Sequence, residues 1–163
     1  MMIDQEDFER LMPLAYEWAK AQEAYVLQHG VPLTANQVSD ARQAGVSAPN
    51  QVRVLVVDRI PLPDDKGLAD AARSAQIITE ASRGVAIGYA IIIRADCWRN
   101  GELLLHQLVH VAQCERSGGL EAWVREYLSD RRSSPNFSVG ALEDEARSRA
   151  RDICAEQGAR QPA

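Results

Sequence analysis

The segment LLLHQLVHVAQCER, residues 103–116, constrains this chain more than any other stretch. Leu103, Leu104, Leu105, Leu108, Val109, Val111 and Ala112 make it apolar almost all the way round, so a helix here has to be deeply buried. The same helix carries His106 and His110, two of the three histidines in 163 residues. Positions four apart on an α-helix lie about 40° apart around the axis and one turn along it, so the two imidazoles point the same way. Buried imidazoles without partners are unfavourable, so the fold has to bring something to them. Two neutral imidazoles on one helix face can grip a single zinc ion. The competing reading is a pair of core histidines in a metal-free interaction module, bonded to carbonyls or water.

The flanking pattern predicts mostly helices. Apolar spacing over 4–29 predicts a helix that Pro13 kinks or breaks, ending at His29-Gly30, with His29 at the helix C-terminus. Thr34 is an N-cap candidate for a second helix that stops at Gly45. QVRVLVVD, 51–58, reads as a strand, LADAARSAQIITEA, 68–81, as a helix, and GVAIGYAIIIRAD, 84–96, as a second strand. Helices follow over 102–116, LEAWVREYLSD and 141–157. Helices, then two strands, then helices predict an α+β fold, mostly helical, with a small β-sheet preceding the histidine helix. The expected organisation is a single domain over 1–157 and a disordered tail over 158–163. The β-rich run at 89–94 is expected at a sheet edge, walling a cleft beside His106 and His110. The polar connection 131–140 is expected to border that cleft as a mobile flap hinged near Gly140.

Composition narrows the partners. A net charge of −5 with dispersed basic residues argues against nucleic acid. No apolar run is long enough to span a membrane, and the N-terminus MMIDQEDFER lacks an apolar signal core, so a cytoplasmic protein is expected. Cys97, Cys114 and Cys154 are an odd number without CxxC spacing, which suits free thiols. Cys114 reads as a buried thiol rather than a further ligand.

The helix over 141–157 offers Glu143 and Glu145, and either completes a His₂Glu set with water in the fourth position. Two positions on a helix amount to about 200°, so only one of them can face a metal ion. Asp152 is a candidate orienter of a ligand histidine. Tyr89 and Tyr127 are candidate oxyanion donors beside their role in packing.

LLLHQLVHVAQCER followed by GGLEAWVREYL resembles the active-site helix of small bacterial zincin-type metallopeptidases, where the usual form reads HELVHVAQ, an aromatic residue, then ER. ALEDEARSRA is similar to the glutamate helix of that group, the gluzincin arrangement, in which a Glu-Ala pair supplies the third zinc ligand. GYAIIIRADCW and GVPLTANQVSDARQAGVSAPNQVRVLVVDRIPLP also resemble the group, so the likeness runs roughly from residue 30 to 150. It implies a zincin-like fold, Zn²⁺ held by His106, His110 and Glu145, and a peptide or protein substrate. The substrate's identity does not come with the resemblance.

Two departures stand out. Gln107 occupies the position of the general base. An amide has no proton to exchange in the working range, so zinc binding is expected to survive while peptide hydrolysis is lost or nearly so. A natural non-catalytic relative and a deliberate Glu→Gln change both account for Gln107. Arg149 stands where thermolysin-like members place an Asp.

Overall fold

A computed structural model describes residues 3–133 and 140–160. The element order is α1 (Gln5–His29), β1 (Val31–Pro32), α2 (Ala35–Gln43), β2 (Arg53–Val57), α3 (Lys66–Ser74), β3 (Gly84–Ile87), β4 (Ala90–Arg94), α4 (Gly101–Ser117), α5 (Leu120–Ser133) and α6 (Ala141–Arg160). The fold is α+β, with one four-stranded mixed sheet in the order β1-β2-β4-β3. β2 and β4 are parallel, and the two outer pairs are antiparallel. Among the described residues no helix is long and apolar enough to cross a membrane.

β4 organises the core. Ile91 and Ile93 face α4, meeting Leu104, Leu105, Leu108 and Val109. Ala90 and Ile92 face the other way, toward Val26 and Trp18 of α1. The sheet is therefore a layer between α1 and α4. A strand covered on both faces reads as a continuous apolar run rather than an alternating one, which is the pattern Ala90-Ile91-Ile92-Ile93 has.

That burial overturns the expected edge position of the 89–94 strand. β4 is internal, and the edge strand on its side of the sheet is β3. The long strand expected over 84–96 is a hairpin, turned by Gly88-Tyr89 between the paired residues Ile87 and Ala90. Gly88 has φ +63°, a conformation that glycine adopts readily at the first position of a two-residue hairpin loop. The Glu23 carboxylate of α1 fills the space where a side chain on residue 88 would go, and it accepts the Tyr89 backbone N–H at 2.9 Å.

Other expectations held or shifted for identifiable reasons. Thr34 caps α2 in a reciprocal capping box with Gln37. Pro13 does not break α1; it sits on the exposed face, as does Glu9, whose carbonyl it leaves without a helical partner. α3 stops at Ser74, short of the expected helix end, and Gln76 takes a positive φ of 57° just beyond it. Val31-Pro32, just past the end of α1, adds a short antiparallel strand to β2. α6 continues to Arg160, past the helix end expected at 157, so 158–160 are helical rather than tail. The rest of the expected tail, 161–163, lies outside the described residues. Of the connection expected as a flap, 131–133 are helical and 134–139 also lie outside them.

Gly88→Ala is expected to destabilise the fold by about 1–3 kcal/mol, because it combines a left-handed backbone with collision against Glu23. Urea denaturation checks this, and an unchanged midpoint would contradict the account of the hairpin.

Candidate metal centre

α4 is fixed at both ends: the Asn100 side chain accepts the Leu103 N–H at 3.0 Å, and Gly118 closes the helix in a left-handed conformation. Between these caps the helix is buried by the sheet on one side and by α6 on another. Ala146, Ala150 and Ile153 of α6 pack into the same apolar cluster as Leu105, Leu108 and Val109. Their 3-4 spacing extends back to residue 143, so the stripe that docks α6 also carries Glu143 against α4.

The Glu143 carboxylate sits between the two histidines. Its Oε2 lies 2.9 Å from His106 Nε2 and its Oε1 lies 2.9 Å from His110 Nε2. These three side chains are close enough to hold one metal ion. Tyr127 of α5 donates its hydroxyl to Glu143 Oε1 at 2.7 Å. The rings of Trp123 and Tyr127 flank His110, with centroids 5.7 and 5.8 Å away. Burial works to raise the Glu143 carboxyl, but the adjoining His106, His110 and Tyr127 side chains outweigh it and hold the group well below the usual carboxylate range. Burial and the adjacent Glu143 charge push the Tyr127 hydroxyl well above its ordinary value, so it remains a donor.

Gln113 orders the site from behind. Its Oε1 lies 2.8 Å from His110 Nδ1, while its Nε2 donates to Leu142 O at 2.9 Å and to Glu145 Oε1 at 2.8 Å. Two acceptors hold the amide nitrogen, so the amide oxygen faces His110, and Nδ1 must carry the proton. In the neutral ring, Nε2 is then a lone pair facing an anionic carboxylate at 2.9 Å. Only a cation between them makes that approach favourable, either a second ring proton or a metal ion.

The carboxylate grouped with the two histidines is that of Glu143 rather than Glu145. About 200° of helix rotation separates the two carboxylates, and Glu145 points instead to Gln113 and to Arg116, the latter at 2.9 Å. Hydrogen bonds from Arg116 and Gln113 lower its carboxyl and keep it an acceptor. Asp152 is exposed and borders a separate small depression with Gln43 and Arg149, so it orients neither histidine; that role falls to Gln113. Three residues past His110 on a buried helix, Gln113 was detectable as a polar group sharing the histidine face.

Tyr89 is not at the site: its hydroxyl donates to Glu115 at 2.9 Å, and burial together with that carboxylate pushes it up to about 12. Tyr127 does reach the site, but its proton is committed to Glu143. Cys114 is buried away from the cluster, with its thiol pushed up to about 12 by burial and by Glu23 and Glu115. His29 stacks on Tyr25 in the last turn of α1.

The histidines open onto a cleft of about 650 Å³, lined by α1, α3, β3, the start of α4, α5 and α6. Gln107 lines it between the histidines and β3; a methyl group placed on Gly84 would lie 3.3 Å from Gln107 Nε2. β3 pairs on one side only, and no further backbone hydrogen bond to it is formed among the described residues.

α5 holds this side of the cleft in place. Asp130 accepts the Ala141 and Leu142 N–H groups at 3.2 and 3.1 Å, capping the turn that carries Glu143. Arg132 bonds Ile3 O at 3.0 Å, tying α5 to the start of α1.

Comparison of the chain with family models, with characterised proteins and with solved structures gives no match.

Glu143→Ala is expected to abolish tight divalent-metal binding, Glu145→Ala to weaken it modestly, and Gln113→Leu to weaken it about 10–100-fold through the loss of His110 orientation. Competition titration with a chromophoric chelator ranks the three. Loss confined to Glu145→Ala would reverse the ligand assignment.

Proposed function

We propose that this protein is a zinc-binding, peptide-binding relative of the zincin metallopeptidases, with His106, His110 and Glu143 as its zinc ligands and little or no hydrolytic turnover. One observation carries the reading: a His-xxx-His pair converges with a partly buried glutamate, and Gln113 holds the Nδ1 side of His110 so that its Nε2 is turned toward that glutamate. Two nitrogens, one oxygen and an open side toward the cleft suit zinc. The order of parts agrees with a zincin: an antiparallel edge strand lies beside the metal helix, and a later helix supplies a glutamate.

A zinc ion at this position supplies Lewis-acid polarisation of a carbonyl and acidifies a bound water. The protein's own residues do the rest. The free edge of β3 offers backbone groups to an extended peptide, the pairing mode of β-augmentation. Trp123 and Tyr127 wall the histidines on the α5 side. Gln107 occupies the place of a base, between ligands and edge strand, but its amide neither takes nor returns a proton. It can hydrogen-bond a peptide group in the cleft, which favours holding over cutting. General acid–base catalysis contributes about 10²–10⁴-fold, and a single residue that serves both proton transfers accounts for more.

Gln107→Glu restores a titratable group at nearly constant volume. With about one equivalent of zinc bound in both forms, the Glu form is expected to cleave a diverse peptide library in a chelator-sensitive manner while the parent stays at background. Equal activity in both forms would place the base elsewhere. Purification without chelator that yields no zinc in the parent would favour the metal-free interaction module instead.

A further inference from the structure

The cleft beside the metal centre is locally positive on a chain whose net charge is −5. Among the described residues lining it, the carboxylates are Glu143, committed to the histidines, and Glu102. The guanidiniums are those of Arg83, Arg131, Arg147 and Arg151. Arg131 is used internally, donating to the carbonyls of Ala75 and Gln76. The other three are exposed. The side chains of Arg83 and Arg151 make no hydrogen bond or ion pair among the described residues. Arg147 has only a loose 3.7 Å contact with Asp144, itself largely exposed, and such pairs contribute little.

These three arginines gather at one end of the cleft. α6 runs antiparallel to α4: Glu145 pairs with Arg116 near the end of α4, whereas Cys154 lies close enough to Glu102, at its start, for that carboxylate to add to burial in raising its thiol. Arg147 and Arg151 follow Glu143 at four and eight positions, so they continue the row that begins with the metal-site carboxylate. Arg83 immediately precedes β3, whose first residue, Gly84, faces Gln107 and Leu103 of α4. The result is three available guanidiniums against one carboxylate, at the end of a groove whose edge strand has one side free among the described residues.

We propose that this end of the cleft is an anion subsite that selects peptides bearing a carboxylate two to four residues from the residue held at the metal centre. The spacing follows from geometry. The Cα atoms of Arg147 and Arg151 lie about 6 and 12 Å along α6 from that of Glu143, and an extended peptide advances about 3.3 Å per residue. Guanidinium groups favour carboxylates through paired, charge-assisted hydrogen bonds. The inference rests on the peptide-binding reading above and gives it a substrate class. The carboxylate can come from an Asp or Glu side chain or from the end of a peptide, and the test separates these sources.

The experiment uses the full chain loaded with one equivalent of zinc and reads binding by fluorescence polarisation. The probes are fluorescein-labelled peptide libraries, randomised over Ala, Leu, Phe, Ser and Thr, with two fixed positions. Four versions are compared: fixed Glu, Gln or Lys with an amidated C-terminus, and fixed Gln with a free C-terminus. The expected result is that either the Glu library or the free-acid Gln library binds about tenfold more tightly than the amidated Gln library, near the low end of what a hydrogen bond to a charged group contributes. The Lys library is expected to bind more weakly than the amidated Gln library. A preference for Glu assigns the subsite to side chains, and a preference for the free acid assigns it to chain ends.

In R147Q/R151Q, and to a smaller extent in R83Q, that preference is expected to fall while affinity for amidated Gln stays constant. Thermal melts and zinc stoichiometry confirm that the variants are folded. Equal binding of all four libraries, or a preference that survives R147Q/R151Q together with R83Q, would overturn the subsite and leave the peptide-binding reading standing. Binding of none of them would remove the peptide-binding reading and the subsite with it.

Discussion

A helix that is apolar on nearly every side and carries two imidazoles sets the terms for the rest of this molecule. Burial of α4 removes water from His106 and His110, and each ring nitrogen that loses water needs a protein partner or a bound ion. The partners arrive from two other helices. α6 brings Glu143 to both rings, where Tyr127 of α5 bonds it in turn, and Gln113 of α4 meets His110 while its own amide is held by the Leu142 carbonyl and Glu145. The apolar stripe Ala146, Ala150 and Ile153 docks α6 at the rotation that makes those contacts possible. Packing and polar satisfaction thus enforce the same arrangement.

The sheet contributes stiffness at one end of this assembly and an accessible edge at the other. β4 is buried on both faces and holds α1 and α4 apart. β3, joined to it by a two-residue turn, carries the sheet to the rim of the cleft. Glu23 of α1 bonds the turn, and Glu115 of α4 binds both the Tyr89 hydroxyl and the backbone N–H groups of Ser47 and Ala48. The hairpin is therefore anchored to helices on both sides. The edge strand, Gln107, the histidines and Arg147 and Arg151 of α6 meet around one cavity.

The charge distribution follows a similar division. Most carboxylates lie on outer faces, and those turned inward are engaged: Glu143 with histidines, Glu115 with a tyrosine and backbone N–H groups, Asp130 at the start of α6. Glu145 supports the cluster through Gln113 instead of joining it. This explains why two nearby carboxylates on one helix serve different ends: Glu143 is aimed at the histidines, and Glu145 holds the amide that fixes one of them.

Several features are legible in the order of residues alone. Four-residue spacing puts His106 and His110 on one face, because the α-helical period leaves no other outcome. The all-round apolar pattern requires burial, Thr34 caps α2, and the succession of patterns indicates α+β. Buried β4 is legible too, since Ala90-Ile91-Ile92-Ile93 lacks the alternation of a strand with one wet face; the edge position expected for it overlooks that pattern. The choice between Glu143 and Glu145 is half decided by sequence. Helical rotation excludes one, and the spacing of Ala146, Ala150 and Ile153 points to Glu143, but only docking against α4 gives that stripe its direction. The roles of Tyr127, Asp130 and Gln113 belong to the tertiary structure alone. Each depends on where a second helix stops relative to the first, and a one-dimensional pattern fixes the phase of a helix but not its neighbour.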